Sequence, residues 1–256
     1  AVLASTSGAQ QAPRPWTFMD QQLLRQAVAP VLSPDGTRLL YALSVPDWKE
    51  AKRFTDLYVV STRDGLASTR QLTFTKDKNE TSPRWAPDGS FFVFASNRDA
   101  AGGAATQQLY LMRPDGGEAR RVTDIKDGVG AFAFSKDGKW LAFSAGKNGE
   151  QQVMALPLAG IDTAQARPLT RHATPVGWWR FSNDGQRLYF IAADSVDQAN
   201  KERMERKFDV RIRNQDIPLN HLWTVDVATG AERRLTQGDQ FSVEGVTLSD
   251  DGRWAG

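Results

Sequence analysis

A four-residue corner ending in Asp-Gly recurs five times, as Ser33-Pro34-Asp35-Gly36, Ala86-Pro87-Asp88-Gly89, Ser135-Lys136-Asp137-Gly138, Ser182-Asn183-Asp184-Gly185 and Ser249-Asp250-Asp251-Gly252. Each copy sits between apolar stretches and suits a type I turn whose last residue goes left-handed and forms a bulge, a conformation cheap only for glycine. The Asp-Gly pairs of successive corners lie 53, 49, 47 and 67 residues apart. Self-similarity at such a period belongs to arrays and propellers and outranks any single-residue clue.

The second repeat shows the unit. Pro83-Arg84-Trp85 enters the corner and Phe91 to Ser96 leaves it, Gln108 to Met112 follows, and Arg120-Arg121-Val122-Thr123 closes the repeat. A second tight turn, Pro114-Asp115-Gly116-Gly117, precedes the closing box. The same order recurs around Arg38, Leu57 and Arg70, around Trp140, Gln152 and Arg167, and around Arg187, His221 and Arg233. Short strands rich in aromatic and branched residues, separated by Gly/Asp turns, predict small antiparallel sheets. One four-stranded sheet cannot bury both faces, so successive sheets must stack, and radial stacking leaves only short, protected edges. The expected fold is therefore all-β: a β-propeller of four-stranded antiparallel blades near 28–73, 83–123, 131–170 and 177–236, with a fifth beginning near 243. Residues 1–15, small, polar and Pro-containing, read as a flexible segment ahead of a propeller domain over 16–256. A helical solenoid would need amphipathic runs of ten or more residues, which the glycines interrupt.

Composition narrows the function classes. Thirty-two basic and thirty acidic residues give a net charge of +2, which supplies no strong field for nucleic acid or anionic lipid. The Arg pairs at 120–121 and 233–234 open repeated strands and read as solvated strand faces. There is no cysteine, hence no disulfide, thiolate metal site or cysteine nucleophile, and no run approaches the length of a membrane helix.

Two repeats depart from the pattern. Ahead of the first corner, Thr17 with Asp20 three residues on and then Leu23 and Leu24 predicts a short capped helix, expected to pack across a propeller edge or rim. The first unit also carries a polar link from Val45 to Thr55, read as an extended hairpin end. The fourth unit contains a long insertion, Asp194 to Asn220, in which 197–207 favours helix with Lys201/Glu205 and Glu202/Arg206 at the four-residue spacing where opposite charges meet. Long insertions in regular repeats are common carriers of binding function.

Catalytic motifs are missing: no Gly-x-Ser-x-Gly elbow, no His-Glu-x-x-His, no phosphate loop, no calcium loop. His172, in a link, and His221, opening a strand, read as structural. Gly128 to Ala133 loosely matches a dinucleotide fingerprint but precedes a strand, and Asn79-Glu80-Thr81 is a sequon relevant only to a eukaryotic secretory route. The corner aspartates are explained by turns rather than by acid–base work. No catalytic residue, cofactor or metal is expected within this chain.

A short helix followed by the Ser-Pro-Asp-Gly corner, Leu39-Leu40-Tyr41, Thr55 to Val60 and then Trp-x-Pro-Asp-Gly and Arg-Arg-Leu-Thr boxes resembles the N-terminal propeller of prolyl oligopeptidase-type serine peptidases, closest to the acylaminoacyl and dipeptidyl peptidase branch. The resemblance runs from about Trp16 onward. It implies a propeller of seven or eight blades followed by an α/β-hydrolase domain with Ser, Asp and His in that order, acting on short peptides. In dipeptidyl peptidases an adjacent glutamate pair in a propeller insertion holds the substrate amino terminus. Here only Glu202 and Glu205 stand in the insertion, which puts dipeptide release in question. On this reading Glu202, Glu205, Arg206, Arg211 and Arg213 are the candidate substrate-binding residues. Expected partners are a peptide and the C-terminal remainder of the protein, beyond a gap or as a separate chain, with self-assembly left open and with no nucleic acid or membrane. The expected compartment is the periplasm or the exterior, with the cytoplasm as the alternative. Similar boxes occur in the propeller of the Tol translocation protein TolB, so a non-catalytic propeller that binds a protein partner is the rival reading.

Overall fold

The structure is a computed structural model that describes residues 14–100, 106–161, 163–194, 202–203, 205–207, 218–249, 251, 254 and 256. Each repeat becomes one four-stranded antiparallel meander. The first contains β1 (Gln26–Leu32), β2 (Arg38–Asp47), β3 (Lys52–Ser61) and β4 (Arg70–Gln71), and the second β5 (Glu80–Trp85), β6 (Phe92–Ser96), β7 (Gln108–Met112) and β8 (Arg120–Arg121). The third contains β9 (Val129–Phe134), β10 (Trp140–Ala145), β11 (Gln152–Pro157) and β12 (Arg167–Pro168), and the fourth β13 (Trp179–Phe181), β14 (Arg187–Ala193), β15 (Asn220–Asp226) and β16 (Glu232–Arg234). Across the fifth corner the Ser249 N–H donates to Trp254 O (3.0 Å), and Thr247 and Gly256 exchange backbone hydrogen bonds of 2.7 and 3.0 Å, the start of a further hairpin.

Side-chain alternation explains how the sheets stack. In β6, Phe92 and Phe94 face the first sheet, packing with Leu40, Ala42, Leu57 and Val59, whereas Val93 and Ala95 face the third, meeting Leu141, Phe143 and Leu156. In β10 the roles divide again, with Ala142 turned to Phe181, Leu188, Phe190 and Val225 of the fourth sheet. The second sheet is thus apolar on both faces and all five residues of β6 are buried. Three cores join four sheets in series, the arrangement that propeller blades require. Each fully buried Phe or Leu contributes roughly 1.5–3 kcal/mol.

The corners are built alike and touch one another. In the first, the Gly36 N–H donates to Ser33 O (2.9 Å), Ser33 Oγ donates to Asp35 Oδ1 (2.6 Å), and the Arg38 N–H donates back to Ser33 Oγ (2.9 Å). The corners at Ser135 and Ser182 repeat these bonds, while Ala86 lacks the hydroxyl and keeps the Gly89 N–H to Ala86 O bond of 2.9 Å. Gly185 lies at φ +70°, and a Cβ there would come within 2.6 Å of the Asp137 carboxylate in the preceding corner. Lys136 donates to Asn183 (2.7 Å), and Asn183 to Ser249 O (3.0 Å), so neighbouring corners form a row.

The capped helix is present as α1 (Phe18–Gln22), with Thr17 and Asp20 forming a capping box. Its expected packing on a rim is not met: none of its residues is buried, and Trp16 and Phe18 remain exposed. One and a half turns offer too little apolar stripe to hold against a sheet, and an Arg53 bond to Leu24 O (2.8 Å) ties down the chain between α1 and β1. The link after Val45 is an extended hairpin, β2 and β3 pairing as far as Asp47 and Lys52. No helix among the described residues is long and apolar enough to cross a membrane.

Candidate functional site

At the end of the blades opposite the corners, the threonine that closes each repeat has one recurring task. Thr73, Thr123, Thr170 and Thr236 accept the backbone N–H of Leu57, Leu109, Val153 and Leu222 at 2.9 to 3.0 Å, filling the slot where the two-residue or three-residue outer strand runs out. Each hydroxyl also meets the side chain one residue earlier: Asp56, Gln108, Gln152 or His221. Gln108 and Gln152 go on to grip the backbone of the crossover to the next blade, at Ile125 and at His172 and Thr174. The scaffold bond is constant and the side chain it supports is not.

The second residue of the closing box serves the same joint. Arg121 and Arg234 donate to the carbonyls of Thr123 and Thr236 at 2.7 and 2.6 Å, and Gln71 does so to Thr73 at 2.8 Å. The first residue reaches further: Arg70 bonds the Pro114 and Asp115 carbonyls of the next blade, and Arg167 bonds Val227 O while stacking on Trp140 at 4.8 Å. The arginine pairs are therefore corrected from solvated faces. Arg120, Arg121 and Arg233 are exposed, but Arg121 and Arg234 act as clamps.

Between the first two blades lies an ionic cluster. Glu80, with no exposure at all, pairs with Arg98, whose guanidinium lies over the rings of Phe94 (5.3 Å) and Tyr110 (4.8 Å). Burial pushes the Asp56 carboxyl up, helped by the nearby Glu80 charge, and burial together with its bond to Asp99 raises the Tyr110 hydroxyl. Glu80 Oε2 and Arg98 Nε have no partner among the described residues. The sequon straddles the start of β5, with Asn79 half-buried just ahead of the strand and Glu80 buried in it.

In the fourth blade a second cluster closes on the root of the insertion. Asp194 forms an ion pair with Arg234 and lies 3.6 Å from His221 Nε2. Arg234 Nη2 donates to His221 Nε2 at 2.8 Å, so the ring accepts there and carries its proton on Nδ1, facing Thr236 Oγ1 at 3.1 Å. His172, edge-on to Trp223 at 4.4 Å, spans Glu232 and the carbonyl of Ala193. Both histidines are held by hydrogen bonds at the root of the insertion.

Of the five candidate substrate residues, Glu202, Glu205 and Arg206 are described and exposed, Glu202 and Glu205 in helical backbone with the Arg206 N–H donating to Glu202 O at 3.1 Å. Arg211 and Arg213, like Lys201, lie outside the described residues. Sequence reasoning missed Glu80–Arg98, Asp194–Arg234 and His172–Glu232. Only the regular position of His172, two residues beyond the closing threonine, offered a signal. Among the described residues no group of three or more His, Cys, Asp or Glu is placed to hold a metal ion.

Residues 21–165 match the family described as PD40, the TolB beta propeller domain. Over 111 residues the chain is 38% identical to the uncharacterized peptidase YuxL of Bacillus subtilis, and over 114 residues 32% identical to dipeptidyl-peptidase 5 of Porphyromonas endodontalis. These matches take in 43% and 44% of this chain but only 16% and 15% of the two relatives. A TolB homolog of Chlorobium luteolum is 31% identical over 132 residues, 52% of this chain and 27% of that protein. In architecture, the propeller domain of the trilobed protease from Pyrococcus furiosus aligns with a TM-score of 0.56 at 11% identity, over 83% of this chain and 57% of that one. The relatives thus include peptidases, and the resemblance drawn from the repeat boxes to the propellers of peptidases is borne out. With its family match extending over more than half its length, the chain belongs to the TolB-type β-propeller domain family.

Proposed function

We propose that these blades are the substrate-selecting part of a serine peptidase acting on short peptides, with Ser, Asp and His supplied by an α/β-hydrolase domain elsewhere in the protein. The observation that carries this reading is the pairing of peptidase relatives with a propeller whose irregular features gather at one end. In such an enzyme the histidine takes the serine proton, the serine attacks the peptide carbonyl, and backbone donors stabilise the oxyanion. The blades do none of this. They restrict access, and charges of the insertion, the exposed Glu202, Glu205 and Arg206 together with Arg211 and Arg213, contact peptide termini or side chains. Location in the periplasm or outside the cell goes with this reading.

Fluorophosphonate labelling of the full-length protein tests it. One stoichiometric adduct on a serine outside residues 1–256 is expected, and no adduct on active, folded protein would overturn the peptidase reading. The TolB homolog supports a second reading, a propeller that binds a protein partner without catalysis. That reading predicts no label and a stable complex instead.

A further inference from the structure

His172 sits where the crossover from the third blade meets the fourth, with 7% of its side chain exposed. Its Nδ1 lies 3.0 Å from Glu232 Oε2 and its Nε2 lies 3.0 Å from the carbonyl oxygen of Ala193. Both neighbours are acceptors. A neutral imidazole has one N–H and one lone pair, so it can satisfy only one of them, whereas imidazolium donates to both. Neither acceptor has a proton to give the ring: Glu232 Oε1 takes the Arg171 N–H at 2.9 Å, and Ala193 O also takes the Thr174 hydroxyl at 2.7 Å. The remaining charged groups at this joint are engaged with one another, Asp194 with Arg234 and Arg234 with His221, and Phe190 and Trp223 close the ring off.

We propose that His172 is a positioning residue which, as imidazolium, latches the root of the insertion, Ala193 and Asp194, to the third-to-fourth crossover and to β16. A ring with one proton keeps it on Nδ1, where the Glu232 carboxylate takes the stronger, charge-assisted bond, so the Nε2 lone pair faces Ala193 O and that bond opens. The neighbouring His221 differs because Arg234 supplies a donor to its Nε2, and a single proton suffices. The latch thus sets the presentation of the insertion that carries Glu202, Glu205 and Arg206, and for that consequence alone it rests on the peptidase reading.

The two can be separated. Hydrogen exchange in the full-length protein, corrected for the intrinsic pH dependence of exchange, reads the root directly in peptides covering 191–194 and 218–222. Protection is expected to fall about tenfold or more as the His172 ring loses its second proton, the scale of one charge-assisted bond. In Glu232→Gln the new amide can donate to Nδ1 while its oxygen keeps the Arg171 bond, so a neutral ring then holds Ala193 through Nε2–H and the pH dependence is expected to vanish with protection retained. His172→Gln, which has a single donating end, is expected to lose protection at every pH. A pH-independent root in the native protein, or an unchanged pH profile in Glu232→Gln, overturns the latch whatever the enzyme assay shows. If the exchange results hold but peptide KM is the same across the variants, the latch stands and the substrate role of the insertion falls.

Discussion

The two ends of the blades follow opposite rules. At the corner end the same Ser-x-Asp-Gly bonds recur, and neighbouring corners interlock tightly enough that Gly185 has no room for a methyl group. At the other end one threonine bond recurs, but the side chain it carries changes from Asp56 to Gln108, Gln152 and His221. Among the described residues, the buried Glu80–Arg98 pair, the half-buried Asp194–Arg234 pair and the root of the long insertion stand at this second end. Repetition specifies the scaffold and departure from it marks the place where selectivity can be built, since a repeated bond can hold many different side chains at fixed positions.

That contrast can be broken by mutation. The largest effect is expected from Arg98→Ala, which strands the fully buried Glu80 carboxylate and should cost about 3–5 kcal/mol, measured by denaturant unfolding of the full-length protein. Phe143→Ala, in the core between the second and third sheets, should cost a similar ~3–5 kcal/mol. Thr170→Val leaves the Val153 N–H without its acceptor and should cost about 1–3 kcal/mol, at least as much as the corner change Ser135→Ala at about 0.5–1.5 kcal/mol. Ala86 already shows that a corner closes without the hydroxyl. A corner change that exceeds the threonine change would reverse the order argued here. Arg206→Ala should raise peptide KM by about two- to fivefold at unchanged kcat, the scale of one exposed charged contact, whereas Ser135→Ala should leave KM alone.

Acid separates the two ends by sign. The Ser33 hydroxyl and then the Thr37 N–H hold Asp35 down at about 2, and Asp184 is lowered in the same way, chiefly by Ser182. The Asp35 contribution is present above the ordinary carboxylate range near 3.9 and is lost as pH falls through about 2, and that of Asp184 is likewise lost in acid. Asp56, raised chiefly by burial, works the other way: its charge opposes folding at neutral pH and that cost lifts as pH falls. Asp56→Asn should therefore raise the Tm at pH 7, and Asp35→Asn should lower it, with the two converging in acid. Equal shifts of one sign would remove the contrast.

Much of the scaffold was legible because its determinants are local. Each corner spans six residues, from Ser33 to Arg38, and the helix start at Thr17 needs only Asp20. The alternation that splits Phe92 and Phe94 from Val93 and Ala95 follows from the period of a strand. The ionic clusters were not legible, because Glu80 meets Arg98 18 positions away and His172 meets Glu232 60 positions away, through registers that no single strand reveals. Arg234 looked like a surface charge because its partners, Asp194 just past β14 and His221 in β15, come from elsewhere in the chain.

The most direct test is hydrogen exchange on the full-length protein before and after reaction with a tripeptide chloromethyl ketone bearing a free amino terminus, a reagent that alkylates the active-site histidine of serine peptidases. Slowed exchange is predicted at the insertion end, in peptides covering 191–207 and 218–236, with the corners at 33–38, 135–140 and 182–187 unchanged. Protection confined to the corners, or none within the blades once the inhibitor is attached, would contradict the assignment of the irregular end to the substrate.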